Sequence, residues 1–525
     1  MLENFPFYLG ILLVILLLIM LANKIKVAYP ILLVLAGLAI SFIPGVPVIN
    51  IEPDLIFFIF LPPLLYEAAW KVSWKEMWRW RRVITSFAFV VVFVSALSVA
   101  LVANYVIPGF SLALGFVLGG IVSPPDAVSA NAILKFVKVP KTVSSILEGE
   151  SLLNDASSLI IFRFAMIAVA TEQFIFSKAA TSFSWMIIGG VSIGLLIGWI
   201  FMKAHKYLPT DVNADSVLTL LTPYIIYLAA EKVHCSGVLA VVSAGLLLSN
   251  NRHRFLSSRS RIRGVNVWES FCFILNGFVF ILIGLDLPQV TKGLEEANIS
   301  IPTALGYSVL ITLVLIISRM LSSYGSVIVR LIARNFIPVA DKSPGNKVPF
   351  ILGWTGMRGV VSLAAALSIP VYLNNGNGFP QRNLILFITF IVILLTLLIQ
   401  GLTLPYFIKK ILNNTDDDTL SRTEVYNSVR QELAEFATQY LKTNYSEQVE
   451  NNPALQHLII KWEQHSNGID DESIEEDLKV IYLDLLNQQR QWLINKNRED
   501  QSLDESIIRR QMHYLDIEEE KLRYL

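Results

Sequence analysis

Thirteen apolar runs, most of them close to twenty residues long, constrain this chain more than any other feature. They fall near residues 6–23, 27–43, 54–69, 83–107, 110–134, 144–170, 184–202, 215–231, 235–249, 267–287, 303–329, 348–371 and 383–408. About 20 apolar residues in helical form cross the hydrocarbon core of a bilayer, and a continuous helix satisfies its own backbone there. With 54% hydrophobic and 16% charged residues, a soluble protein of this size is excluded. The expected class is an all-α polytopic membrane protein with about thirteen transmembrane helices. The first run has no basic segment before it and no small-residue cleavage site after it, so it reads as a retained helix and not as a signal peptide. Cys235 and Cys272 read as small apolar fillers and not as a disulfide framework.

The loops carry independent information. Thirteen spans place the termini on opposite sides. One set of alternate loops holds 23 lysines and arginines and the other set 4, so the first set is expected in the cytoplasm. This puts the N-terminus outside and the C-terminus inside. In the cytoplasmic loop after the third run, Trp70, Trp74 and Trp78 recur every four residues beside Lys71, Lys75 and Arg79, which suits a helix end at the headgroup level.

The formal net charge of zero hides a division. Residues 1–410 carry a net +12 and residues 411–525 a net −12. The expected domains are therefore a transmembrane domain over 1–410 and an acidic, mainly helical cytoplasmic domain over 411–525. The linker signal is Asn413 to Asp418. Val429, Leu433, Phe436 and Leu441 then recur at helical spacing, as do apolar residues from Leu478 to Trp492. His457, His465 and His513 receive no role.

Chemistry concentrates in Glu148-Gly149-Glu150-Ser151-Leu152-Leu153-Asn154-Asp155, directly before apolar sequence. A carboxylate within a bilayer is costly unless paired, hydrated or holding a cation. On a helix, Ser151 and Asp155 share a face, and Glu150 and Asn154 share the adjacent one. Oxygens from Ser151 and Asp155 can reach one point, and hard cations take oxygen ligands. Asn154 supplies an uncharged amide, so the site has one primary carboxylate and not an Asp–Asp pair. Glu148 lies nearer the cytoplasmic end of the run.

Two other runs are interrupted. In the fifth, Pro124 and Pro125 remove backbone donors and break the helix, and Asp126 follows at once. Unwound backbone at that depth is tolerated where it lines a cavity or is buried in protein, and the Pro125 carbonyl is a candidate cation ligand. The twelfth carries Gly353-Trp354-Thr355-Gly356-Met357-Arg358-Gly359. Setting the seventh run aside leaves two sets of six, so the breaks occupy matched positions. That is the mark of an inverted-repeat transporter with two crossed, interrupted helices. Arg358 brings a positive charge to the crossing. Arg319, in mid-run, needs an intramembrane partner, and Glu150 is the candidate. For Arg163, snorkelling, local pairing and function remain open.

These residues resemble the monovalent cation:proton antiporter-1 family, bacterial sodium/proton exchangers related to the animal sodium/hydrogen exchangers. The resemblance covers about residues 5–410. It rests on Glu148 to Asp155, Ser123 to Ser129, Ser236-Gly237-Val238-Leu239-Ala240, and Gly356-Met357-Arg358-Gly359 with Val361-Ser362-Leu363-Ala364. It implies thirteen helices, a scaffold or dimer domain, a mobile core domain and a homodimer. It also implies that Asp155 is the transport carboxylate, and that Asn154 and Asp126 join the crossed-helix assembly. Ser151 and Glu150 match ion-site positions, and Arg319 matches the arginine that pairs with that glutamate. The chain departs from the pattern at Pro125-Asp126-Ala127, where many members carry Thr-Asp-Pro. A threonine hydroxyl is thereby lost.

The expected function is exchange of Na⁺ for H⁺ across the plasma membrane by alternating access, with Asp155, Asp126 and Ser151 as the metal-ion ligands. A carboxylate removed from water favours its protonated form and a cation beside it favours the charged form, so Asp155 can hold either, never both. One carboxylate alternating between one proton and one monovalent cation implies electroneutral 1:1 exchange. A K⁺/H⁺ antiporter regulated by its tail is the alternative, and a cation channel a more distant one. Na⁺, K⁺ and Li⁺ all take oxygen ligands, so the residues do not choose among them. An enzyme is not expected, since the sequence is read as having no Gly-x-Ser-x-Gly elbow and no His-Glu-x-x-His, and the histidines are scattered or outside the apolar core. The expected ligands are Na⁺ and H⁺ in a lipid bilayer, with no cofactor and no nucleic acid.

Overall fold

The computed structural model describes residues 5–44, 53–137, 139–171, 176–296, 299–333, 345, 347–373 and 376–412, together with scattered positions between 431 and 519. Each of the thirteen apolar segments is helical, and the fifth and twelfth are broken. The helices are α1 (Phe5–Ile25), α2 (Tyr29–Ser41), α3 (Pro53–Lys71), α4 (Trp74–Thr85), α5 (Val92–Val106), α6 (Leu112–Val122), α7 (Ala127–Leu134), α8 (Lys141–Thr171) and α9 (Phe176–Tyr207). They continue with α10 (Val212–Lys232), α11 (Gly237–Phe255), α12 (Ser258–Leu285), α13 (Leu287–Glu296), α14 (Ile301–Ala333), α15 (Lys347–Trp354), α16 (Val360–Leu367) and α17 (Arg382–Leu412). Among the described residues there is no β-strand beyond an isolated bridge between Tyr372 and Gly378. Among the described residues, eight helices are long and apolar enough on their own to cross a membrane.

Residues Met1–Asn414 and Thr415–Leu525 form two compact units. In the second, the described positions are almost all helical, including those at Leu433, Phe436, Leu441 and Trp492. Asn413 to Asp418, Val429, Leu478, His457, His465 and His513 lie outside the described residues, as do Lys138, Arg334 and Lys342 of the charged loops.

Within the first unit the helices pack as two groups. α9, α10 and α11 pack on one another, α10 and α11 also pack on α3, and α12 packs on α2 and α10. In the other group, α5, α6 and α8 pack together, and α14 packs on α5, α15 and α17. Helix α8 stands at the seam. Its Ile146, Leu147 and Phe162 enter one apolar cluster, and its Leu152 and Ala156 enter the second. Lipid tails are as apolar as leucine, so helices here associate through close van der Waals contact at small residues. At the α2–α12 crossing, a Cβ on Gly37 would lie 3.0 Å from the Gly284 Cα, and one on Gly284 would lie 2.7 Å from the Gly37 carbonyl carbon. Only glycine admits that approach.

Local signals explain the element ends. Ser73 caps α4 by accepting from the Glu76 N–H at 3.4 Å, and Trp74 stacks on Trp78 at 6.1 Å, both exposed. Between α4 and α5 the helix widens into a π turn at Ser86–Val91, which the apolar pattern does not reveal. Cys235 and Cys272 are buried and unbridged.

Two corrections concern enzyme-like features. Gly190-Val191-Ser192-Ile193-Gly194 does spell the linear pattern of a nucleophile elbow. It lies inside the continuous helix α9, not at the strand-to-helix turn that exposes such a serine. His205 is not outside the core: it is 5% exposed, and its Nδ1 lies 2.9 Å from Oδ1 of buried Asp215. The Ser260 hydroxyl donates to the other Asp215 oxygen at 2.7 Å, so the three groups tie α9, α10 and α12 together.

Candidate ion site

The two helix breaks meet. Helix α6 ends at Val122, Pro124 and Pro125 follow in extended or bent backbone, and α7 begins after Asp126. In the twelfth segment, α15 ends at Trp354 and α16 starts after Gly359. The Asp126 N–H donates to the Met357 carbonyl at 2.7 Å, which joins one break to the other.

Each break leaves helix ends to be satisfied, and charged side chains do it. Helix C-termini expose carbonyls and carry partial negative charge, and N-termini the reverse. Arg358 is fully buried. Its Nε donates to the Val122 carbonyl at 2.8 Å and Nη2 reaches the Ser123 carbonyl at 3.5 Å, so it serves the C-terminus of α6. Nη1 donates to the Gly356 carbonyl. Asp126 serves the opposite end, as the N-cap of α7. Its Oδ1 accepts from the Val128 N–H at 3.1 Å, and Oδ2 accepts from the Ser129 N–H at 3.2 Å and the Ser129 hydroxyl at 2.5 Å.

Gly359 makes this crossing possible. A Cβ there would lie 2.6 Å from the Asp126 Cγ. Gly359→Ala therefore forces either the breaks apart or Asp126 off its cap. The expected cost is about 1–3 kcal/mol, the range for overpacking, with a parallel loss of transport. Thermal melting in detergent and a proton-flux assay check both.

Helix α8 lays its polar residues against the crossing. Asn154 is fully buried, and its Nδ2 donates to the Pro125 carbonyl at 3.1 Å, while its Oδ1 has no hydrogen-bond partner among the described residues. The carbonyl considered as a cation ligand thus already accepts the neighbouring amide, with one lone pair remaining. Ser157 donates to the Asn154 carbonyl at 2.9 Å and to the Ala88 carbonyl of the π turn. Glu150 and Arg319 are each 1% exposed and form a two-pronged pair, Nη1 to Oε1 at 2.7 Å and Nη2 to Oε2 at 3.0 Å. Arg319 also lies over the Phe87 ring at 5.9 Å. Glu148 accepts from Ser144 of its own helix at 2.9 Å, apart from the crossing.

Asp155 differs from all of these. It is 7% exposed, and its carboxylate makes no hydrogen bond or ion pair among the described residues. Ser151, one turn earlier on α8, is partly buried and engaged in a contact of its own. No group of three or more His, Cys, Asp or Glu side chains able to hold a metal occurs among the described residues.

The charges can be counted. Three carboxylates, Glu150, Asp126 and Asp155, meet two guanidiniums, Arg319 and Arg358. Buried charge is tolerated when paired. With every group counted as charged, one negative charge is left over; Glu150 is paired with Arg319 and Asp126 is held by the start of α7, while Asp155 has no such partner among the described residues.

The sequence profile of the family described as "Sodium/hydrogen exchanger, transmembrane" matches residues 11–410. The chain belongs to the sodium/hydrogen exchanger family. It is a multi-pass membrane protein and not an enzyme. It is similar to the sodium, potassium, lithium and rubidium/H⁺ antiporter of Bacillus subtilis (strain 168), with 35% identity over 377 residues, which are 70% of this chain and 56% of that one. The corresponding Bacillus pumilus protein is 34% identical over 73% of this chain and 58% of its own length. The match thus spans somewhat over half the length of these two relatives. The Na⁺/H⁺ antiporter ApNhaP of Aphanothece halophytica is 33% identical over 74% of this chain and 70% of its own. Among solved structures, the sodium proton antiporter MjNhaP1 of Methanocaldococcus jannaschii shares the fold, with a TM-score of 0.58 at 20% identity, over 75% of this chain and 98% of that one.

Two features of this family member escape a sequence reading. Glu231 of α10 pairs with Arg163 through Nη2 at 2.9 and 2.8 Å; as a lone glutamate near a helix end it looks solvated. The π turn at Ser86–Val91 has no sequence mark, although its Ala88 carbonyl meets α8 beside the site.

Proposed function

We propose that the chain is a secondary antiporter that exchanges a monovalent cation, Na⁺ in the first place, for H⁺ by alternating access. Asp155 carries the exchanged ion, with Ser151 and the polar backbone of the broken helices as neutral oxygen ligands. Asp126, Asn154 and Arg358 hold the crossing together, and the Glu150–Arg319 pair fixes α8 to α14. The observation that carries this reading is the Asp155 carboxylate, buried and without a partner among the described residues, in a centre where one negative charge is left over. One proton or one Na⁺ offsets that charge, and each leaves the same net charge. The exchange is accordingly electroneutral, one ion for one proton.

The remaining assignments belong to the same proposal. Thirteen spans and the lysine and arginine bias of the loops support an N-terminus outside and an acidic tail, residues 411–525, in the cytoplasm of the cell whose plasma membrane holds the protein. A homodimer is inferred from the family resemblance. K⁺ as an alternative ion draws support from the Bacillus relatives, whose names carry sodium, potassium, lithium and rubidium together.

The test is a cation panel on everted vesicles with a pH dye. Na⁺ is expected to release the proton gradient, at a rate that does not change when the membrane potential is clamped at different values with a potassium ionophore. A voltage-dependent rate would overturn the 1:1 assignment, and release by K⁺ alone would replace the ion.

A further inference from the structure

Helix α8 carries two ion pairs, and they differ in burial. The Glu150–Arg319 side chains are each 1% exposed. In the Arg163–Glu231 pair, Arg163 keeps 42% of its side-chain surface and Glu231 28%. Breaking a sealed pair strands a buried charge, whereas a water-accessible pair contributes little and opens readily. The first suits a permanent joint. The second can come apart and re-form in every cycle.

Its position gives that property a use. Arg163 lies on α8, in the group that carries Asp155, and Glu231 lies on α10, in the other group. Of the ion pairs between described residues in the first unit, this is the one that crosses the seam. It lies in the wall of a cavity of about 330 Å³, lined also by Leu159, Phe162, Tyr227 and Ser368. Leu159 is one helical turn beyond Asp155, and Arg163 is two turns beyond, about 12 Å along the axis. On α8 the cavity wall therefore begins about one turn beyond Asp155 and continues toward the end of the helix that the loop charges assign to the outside.

Opening the pair strands neither charge. Glu231 Oε1 also accepts the N–H of Gly237, the first residue of α11, at 3.3 Å. The positive end of that helix keeps the carboxylate satisfied once Arg163 leaves. A Cβ on Gly237 would lie 2.6 Å from the Tyr227 ring and 3.1 Å from Glu231 Oε1. The Ser236-Gly237 motif thus acquires a reason: Ser236 caps α11 through the Leu239 N–H at 3.3 Å, and Gly237 leaves room for Glu231. Arg163, on a long stem, reaches water when released.

We propose that Arg163–Glu231 is the latch of the outer access path. Closed, it ties the Asp155-bearing group to its neighbour and shuts the cavity from the outside. Open, it exposes Glu231 as the first carboxylate that an incoming cation meets on its way to Asp155. This rests on the antiporter reading above.

The test begins from a chain in which Cys235 and Cys272 are replaced by alanine and Leu159 by cysteine, reconstituted in vesicles of known orientation. A membrane-impermeant maleimide is added from the outer side. Glu231→Gln and Arg163→Gln are each expected to raise the labelling rate roughly three- to fivefold, the weight of an accessible ion pair. Unchanged outer labelling in both variants would overturn the latch. This readout needs no transport, so an absence of cation-driven flux in the parent would sink the antiporter reading separately. In a second arm, Arg163→Cys and Glu231→Cys are combined in the cysteine-free chain and joined by a short bifunctional thiosulfonate. Exchange is expected to stop on cross-linking and return with reductant. The recovery shows that the fold is intact; undiminished exchange in the cross-linked protein would again overturn the latch.

Discussion

Asp155→Asn is expected to reduce cation-driven proton flux to background while leaving the protein folded. The substitution keeps the size and planarity of the side chain and removes its ability to alternate between a proton and a cation. The Asp155 carboxylate has no partner among the described residues, so the fold loses no contact with its charge. Removing an uncompensated buried charge does not destabilise, and the melting temperature in detergent is expected to hold or rise. The two readouts together separate a transport role from a structural one. Residual flux near the parent level would move the exchange site elsewhere. A collapse in stability would mean that the carboxylate supports the fold.

Neutralising one member of the Glu150–Arg319 pair has the opposite signature. Arg319→Met leaves Glu150 buried and unpaired, and Glu150→Leu does the same to Arg319. Breaking a buried pair in this way costs about 3–5 kcal/mol. Either variant is expected to yield little folded protein, with a much lower melting temperature. Replacing both together removes the stranded charge, and apolar side chains of similar volume fill the space. That double variant is expected to recover most of the lost stability, since a buried pair and a packed apolar substitute are close in free energy. Single variants as stable as the parent would show that water reaches the pair. A double variant as unstable as the singles would show that packing, not charge, is at stake.

The elements of the membrane unit are legible in the sequence because a bilayer imposes one period and one length on every span. The Glu150–Arg319 contact is legible for a similar reason, since a charge in mid-span has few ways to be satisfied. Prolines are less legible. Pro124-Pro125 ends a helix, yet Pro62-Pro63 sits inside α3, which runs on to Lys71. The same dipeptide has two outcomes because the break is stabilised from elsewhere: Arg358 takes up the carbonyls at the end of α6, 236 residues away for Val122, and Asp126 caps the start of α7. His205 was hidden in the same manner, because its partner Asp215 lies across a helix-to-helix turn, where both residues look solvated until the helices close on them. At the ion site, the residue types were readable. That Asp126 spends both oxygens on a helix end, leaving Asp155 alone, depends on backbone geometry that no spacing encodes.

Glu150 and Arg319 are 169 residues apart, and this distance bears on how the protein is made. At about 5–20 residues per second, α14 leaves the ribosome roughly 8–34 s after α8. Throughout that interval α8 carries Glu150 into or beside the membrane before its own partner, Arg319, has been synthesised. The first half of the bundle therefore cannot complete its packing on its own. It waits until the second half brings the arginine that lets α8 stay.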